Sequence, residues 1–138
     1  IFRENWAVLV DRLDAIEQSG EPAADQLRHV AAVILRNWQH QPDVIRVLVR
    51  EIARSPDVQA RIGELVKPIA AVERIIEGGQ ASGELRPDLE AKFAAVAFYG
   101  GIEELLSGWV LGQLPDDDAS VAAAERTVAQ LIDGFIAA

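Results

Sequence analysis

Cysteine and methionine are both missing from this 138-residue chain. Without cysteine, disulfides and thiolate metal sites are excluded, which is compatible with a reducing cytoplasm. The chain opens on Ile1 in "IFRENWAVLV", which already reads as the middle of a helix, and it has no starting methionine. It is therefore expected to be a fragment, or the visible part of a longer protein. Half of the residues are hydrophobic, yet no apolar run approaches the roughly 20 residues of a membrane span. No secretory signal pattern stands at the start. Positive charge is scarce: 13 Lys and Arg stand against 22 Asp and Glu, a net charge of −9. Nucleic-acid affinity rests on Lys and Arg neutralising phosphates, so this piece by itself is a poor DNA binder. It also lacks the basic face that holds a protein to anionic membranes.

Catalytic motifs are missing as well. There is no Glu-x-x-His pair of the di-iron type, no His-Glu-x-x-His and no phosphate-binding Gly-Lys-Ser/Thr. "EGGQASGE" is glycine-rich but has no lysine and no strand before it, so it reads as the end of a helix. Ser19, Ser55, Ser82, Ser107 and Ser120 have no histidine beside them in sequence, which weakens a hydrolase reading without closing it. His29 and His40 have no convincing second ligand and read as structural or surface groups. The chain is expected to be no enzyme, with no metal and no cofactor.

What is present is helical periodicity. No stretch alternates apolar and polar residues long enough for a strand. The expected helices cover about 2–18, 22–40, 43–53, 56–82, 89–112 and 119–137. Pro22 and Pro56 suit first turns, and Ser55 and Asp88 suit N-caps. Gly83 suits a left-handed helix end. Pro68 falls inside the fourth helix and is expected to kink it. The acidic "QLPDDDAS" favours the start of the last helix. With no repeat and no dividing linker, this is a six-helix, all-α single domain, long enough to bury roughly two-thirds of its unfolded surface.

The fifth helix, with "AFYGGIEELLSGWVLG", contains four glycines, each costing roughly 1 kcal/mol relative to alanine. Gly101, Leu105, Gly108 and Gly112 fall at helical spacing on one face, with Gly100 at its edge. Ala122, Ala123, Ala124 and Ala129 give the sixth helix a matching small-residue surface. The rest of the fifth helix is apolar nearly all round, through Phe93, Phe98, Ile102, Leu106, Trp109 and Val110. Such a helix must be covered on every side. Either it is the central helix of the monomer, or the last two helices are covered by a second copy in a four-helix bundle around a two-fold axis. In the second case Gly101, Leu105, Gly108, Gly112, Ala122, Val128, Leu131 and Phe135 form the dimer interface.

The stretches "HQPDVIRVLVREIARSPDVQARIGEL" and "IIEGGQASGELRPDLEAKFAAVAFYGGIEELLSGWVLG" together resemble the C-terminal domain of the TetR/AcrR family of bacterial transcriptional regulators. Gly79 and Gly83 framing "QASGEL", the Gly-Gly-Ile-Glu-Glu run and Trp109 look most like the fatty acyl-CoA-responsive branch. The resemblance covers essentially the whole chain. It implies a helix-turn-helix domain before Ile1, absent here, through which alone DNA would be bound. It also implies a homodimer built on the last two helices and a cavity for a small hydrophobic effector, fatty acyl-CoA or another apolar molecule. Binding would shift the first helix and release the operator, the habit of a cytoplasmic repressor.

Such a cavity is mostly apolar with a few orienting polar groups, roughly 300–1,000 Å³. Its expected ligand-binding residues are Trp6, Leu13, Ile34, Trp38, Leu48, Leu65, Ile69, Phe98, Glu103 and Trp109, each of which ordinary core packing also explains. Pro68 is a candidate for holding space open. Arg46, Arg50 and Arg54 form a row that is either a solvated face or a contact for phosphates or the DNA-binding head. Glu51 reads as a surface ion pair, and Glu104, like Glu103, faces solvent or the cavity. The rival reading is a dimeric helical scaffold with no ligand and a fully packed interior.

Overall fold

The computed structural model describes residues 2–40, 43 and 58–137. Within them the chain forms five helices: α1 (Phe2–Glu17), α2 (Ala23–His40), α3 (Val58–Ser82), α4 (Ala91–Val110) and α5 (Asp118–Asp133). The short helix expected over 43–53 lies outside the described residues, Asp43 apart.

The helix ends follow local chemistry. Ser19 Oγ donates to Ile16 O at 2.7 Å as α1 ends, and Gly20 takes φ +77° in the turn that leads to α2. α3 continues through Pro68, whose ring is fully buried, and Gly83 follows its end at φ +83°. α4 stops at Val110, two residues before the expected end, because Gly112 turns left-handed at φ +70°. Its start also differs from expectation. The N-cap is Glu90, with no side-chain cap bond, whereas the Asp88 carboxylate is taken by Arg86, at 2.8 and 2.7 Å. α5 is capped by Asp117, which accepts from Ser120 N at 3.3 Å.

The expected last helix ends early, at Asp133, for a long-range reason. Arg86 N donates to Phe135 O at 2.9 Å and Ala137 N to Glu84 O at 3.0 Å, an antiparallel bridge that pairs Leu85 with Ile136. The backbone groups that would extend α5 are used to fasten the chain's end to the α3–α4 loop.

α2 packs against all four other helices. Leu27, Val30 and Leu35 are its fully buried residues, and Ala31 and Ile34 are buried beside them. Leu13 of α1, Val72 and Ile76 of α3, Ile102 of α4 and Val121 and Ile132 of α5 complete the core around it. Truncating one such side chain to alanine removes about 2–5 kcal/mol. Ion pairs at the rim hold α2 to α5: Arg28 to Asp133 and Arg36 to Glu125, each at 2.9 Å.

Candidate effector site and exposed helical face

α4 has two unlike sides. Ala95, Phe98, Tyr99, Ile102, Leu106 and Trp109 face inward and are buried. Phe98 meets Phe135 edge to face at 6.4 Å, and the Trp109 indole N–H donates to Pro115 O at 3.0 Å. On the other side Phe93 is 73% exposed and Leu111 66%, with Val96, Ala97, Gly101 and Glu104 exposed between them. Their spacing of three, four and seven places most of them on one stripe. The central helix of the described residues is therefore α2, and α4 is left uncovered on one side by them. Leu131 of α5, 64% exposed, adds to the apolar surface in water. Burying one such side chain is worth about 1.5–3 kcal/mol, so a contiguous set marks a surface that is normally covered.

The residues expected at a dimer interface are split by the fold. Gly101, Ala122 and Leu131 are exposed, and Leu105 and Phe135 are half-buried. Val128 is buried in this chain's own core. Gly108 is buried too: a β-carbon there would stand 2.5 Å from Leu114 Cδ1, so the chain's own loop fills the space. Gly112 lies beyond the helix. The small-residue row is thus shorter than its spacing suggests.

Of the expected cavity walls, Leu13, Ile34, Phe98 and Trp109 are buried within one apolar core, and Ile69 is packed against it half-buried. Leu48, Arg46, Arg50, Arg54 and Glu51 lie outside the described residues, as do the side chains of Trp6, Trp38, His40 and Leu65. His29 is exposed beside Glu21, at 2.9 Å. Among the described residues no group of His, Cys, Asp or Glu is placed to hold a metal ion.

Glu103 stands one helical turn beyond Tyr99, the only tyrosine of the chain. Tyr99 is 3% exposed. Among the described residues, no group hydrogen-bonds its hydroxyl, yet no buried side-chain oxygen is sealed off without a partner. Burial, and then the Glu103 charge, push the phenol above its ordinary range, so it stays neutral. Glu103 itself is exposed, yet surrounding protein pushes its carboxyl upward. Tyr99 has no special sequence pattern; only its i, i+4 relation to an acid in an apolar helix would have singled it out.

The family model for the YsiA-like protein C-terminal region, a TetR-type C-terminal domain, matches residues 2–134. This chain belongs to that family. No curated protein and no solved structure gives a significant match. The TetR-type domain is regulatory in character and all-α, as is the fold described above. Among its described residues no helix is long and apolar enough to cross a membrane.

A cleft of about 560 Å³ opens in this TetR-type domain between the α1–α2 turn and the last turns of α3. Charged or polar residues make up half of its lining, more than in the cavity expected. Glu17 binds Arg74 through two hydrogen bonds at 2.6 and 3.0 Å. Glu84 accepts from Ala23 N at 2.7 Å and Ala24 N at 3.1 Å, capping α2 from 60 residues away. Its charged groups are thus engaged with one another, with backbone or, for Glu21, with His29, and none of the expected wall residues lines it.

Proposed function

We propose that this chain is the effector-binding and dimerisation domain of a ligand-responsive transcriptional regulator, a cytoplasmic repressor in the habit of its family. The family match over residues 2–134 carries the reading. In this reading α4 and α5 meet their twins in a four-helix bundle, which covers Phe93, Leu111 and Leu131. Gly101 and Ala97 let the backbones approach. The effector is a small hydrophobic molecule, a fatty acyl-CoA or another apolar compound. Operator recognition belongs to a helix-turn-helix domain outside this chain, consistent with the net charge of −9, which repels phosphate backbones.

Two measurements test it. Sedimentation equilibrium at micromolar concentration is expected to give a dimer, and a monomer alone would remove the bundle. A thermal-shift series of acyl-CoAs, fatty acids, alcohols and hydrophobic drugs is expected to contain a stabilising compound. A ligand at 100 times its dissociation constant adds roughly 2.7 kcal/mol. A dimer that no apolar compound stabilises would instead be a scaffold.

A further inference from the structure

The residue before Ala23 is Pro22, which has no side-chain acceptor to cap α2. The acceptor comes instead from the far side of α3: the Glu84 carboxylate takes Ala23 N at 2.7 Å and Ala24 N at 3.1 Å. The main-chain oxygen of the same residue accepts from Ala137 N at 3.0 Å, beyond the end of α5. One residue therefore holds two segments that are more than 110 positions apart in the chain. Leu85, next to it, is fully buried and pairs with Ile136. Its side chain and the Ala23 β-carbon converge on the bare backbone of Gly79, as a β-carbon there would stand 2.6 and 2.7 Å from them. The start of α2, the Glu84–Arg86 segment and the chain end thus share one packing site.

We propose that Glu84 is a positioning residue that couples the start of α2 to the chain beyond α5, so that the two segments are ordered, and come loose, as one unit. If α2 unwinds at Ala23, Leu85 loses a packing neighbour, and the backbone that pairs with Phe135 and Ala137 is no longer held. If the chain end leaves, the Glu84 main chain loses a bond, and its carboxylate is no longer fixed over the α2 amides. Coupling of this kind is reciprocal. Glu84, Ala23 and Gly79 also line the cleft beside the α1–α2 turn, and Phe135 packs on Phe98 of α4. A molecule that fills the cleft and a contact that orders the end of α5 therefore influence one another through this junction. The coupling is a property of the single chain and goes beyond the effector-domain reading.

Residue-resolved amide hydrogen exchange of the whole chain tests it, in the A137P, E84A, E84Q and E125Q variants. Proline at 137 removes one N–H and touches neither amide of α2. It is nevertheless expected to quicken exchange at Ala23 and Ala24 roughly threefold or more, the size of one lost hydrogen bond. E84A keeps the main-chain oxygen that accepts from Ala137, yet it is expected to quicken Ala137 N by a similar factor. E84Q retains a side-chain oxygen and is expected to fall between E84A and the parent. E125Q cuts the Arg36–Glu125 pair, another tie between α2 and α5, and is expected to leave all three amides as they were. Exchange at Val72 N, in the core, reports opening of the whole domain and is expected to move less than the three amides. Unchanged Ala23 and Ala24 amides in A137P, or an unchanged Ala137 amide in E84A, would overturn the proposal. So would changes that only follow Val72, or equal changes in E125Q. If E84A does not fold, A137P and E84Q decide the matter.

Discussion

Gly78 and Gly79 are neighbours in α3, and their replacement by alanine is expected to act in opposite directions. Each substitution removes the entropic cost of glycine in a helix, a gain of roughly 0.5–1 kcal/mol. At Gly78 a β-carbon meets nothing within 4 Å, so the gain stands alone. At Gly79 it would stand 2.6 Å from both Cγ and Cδ1 of Leu85 and 2.7 Å from the β-carbon of Ala23. All three are below the separation that packed carbons tolerate. Neither neighbour yields easily. Leu85 is fully buried and its backbone is tied to Gly79 O and, through its neighbours, to Phe135 and Ala137. Ala23 begins α2 under the Glu84 carboxylate.

Overpacking of this kind costs about 1–3 kcal/mol, and the immobility on both sides places Gly79→Ala toward the upper end. After the helix gain is subtracted, the net is a loss of about 1–2 kcal/mol. For a chain of this length 1 kcal/mol moves the melting temperature by roughly 3–5 °C. Thermal and urea unfolding of both variants at one protein concentration reads the difference. Gly78→Ala is expected to melt a few degrees above the parent and Gly79→Ala several degrees below it. Equal melting temperatures for the two variants would refute the close approach of α2, α3 and Leu85.

Replacing Glu84 by Ala leaves the amides of Ala23 and Ala24 without their acceptor, a loss of about 0.5–2 kcal/mol, and hydrogen exchange is expected to quicken first at those two amides. Gly101→Ala meets nothing among the described residues, so it is expected to stabilise α4 by up to about 1 kcal/mol while weakening self-association in sedimentation, the opposite signs marking contact with a second copy. Glu103 has a raised pKa in the fold because surrounding protein desolvates it. Its ionised form therefore weakens the fold above that pKa, and stability returns as pH falls through it toward the unfolded value. E103Q is expected to melt above the parent at neutral pH, with the gap closing on acidification; a gap constant with pH would refute the desolvation of Glu103. Asp117 behaves in the reverse sense. Ser120 holds its carboxyl below the usual range, so the α5 cap is present above the unfolded pKa and lost as pH falls through the folded one. Loss of protection at Ser120 N in acid, absent in D117N, checks it.

The helices were legible because their signals are local. Apolar spacing marked α2 and α4, Pro22 marked a beginning, and Gly83 marked an end; each acts within a turn or two of its own position. What could not be read depends on partners far along the chain. Asp88 has the composition of an N-cap, but Arg86 is two residues away and takes both carboxylate oxygens, so the helix begins three residues later without it. The end of α5 is set by Glu84 and Arg86, some 50 residues upstream, and no local pattern at Phe135 announces that pairing. Gly108 carried the composition of a contact surface, and it took the position of Leu114, across the turn, to show that this chain already fills the space.

The same distinction bears on which glycines of α4 matter to function. A glycine accommodated by its own chain, such as Gly108, has its helix cost explained by the fold. Gly100 and Gly101 do not: a β-carbon at either meets nothing within 4 Å, and both residues sit where Phe93, Val96 and Leu111 are left in water. Neither a turn nor a positive φ requires glycine there. Alanine would lower the free energy of the isolated domain at both positions by roughly 1 kcal/mol each. Among the described residues nothing accounts for glycine there; a backbone that comes close enough to exclude a methyl group would. In the dimer proposed above, a second copy of α4 crossing at Gly100 and Gly101 would supply such a backbone and cover the exposed apolar residues together with it.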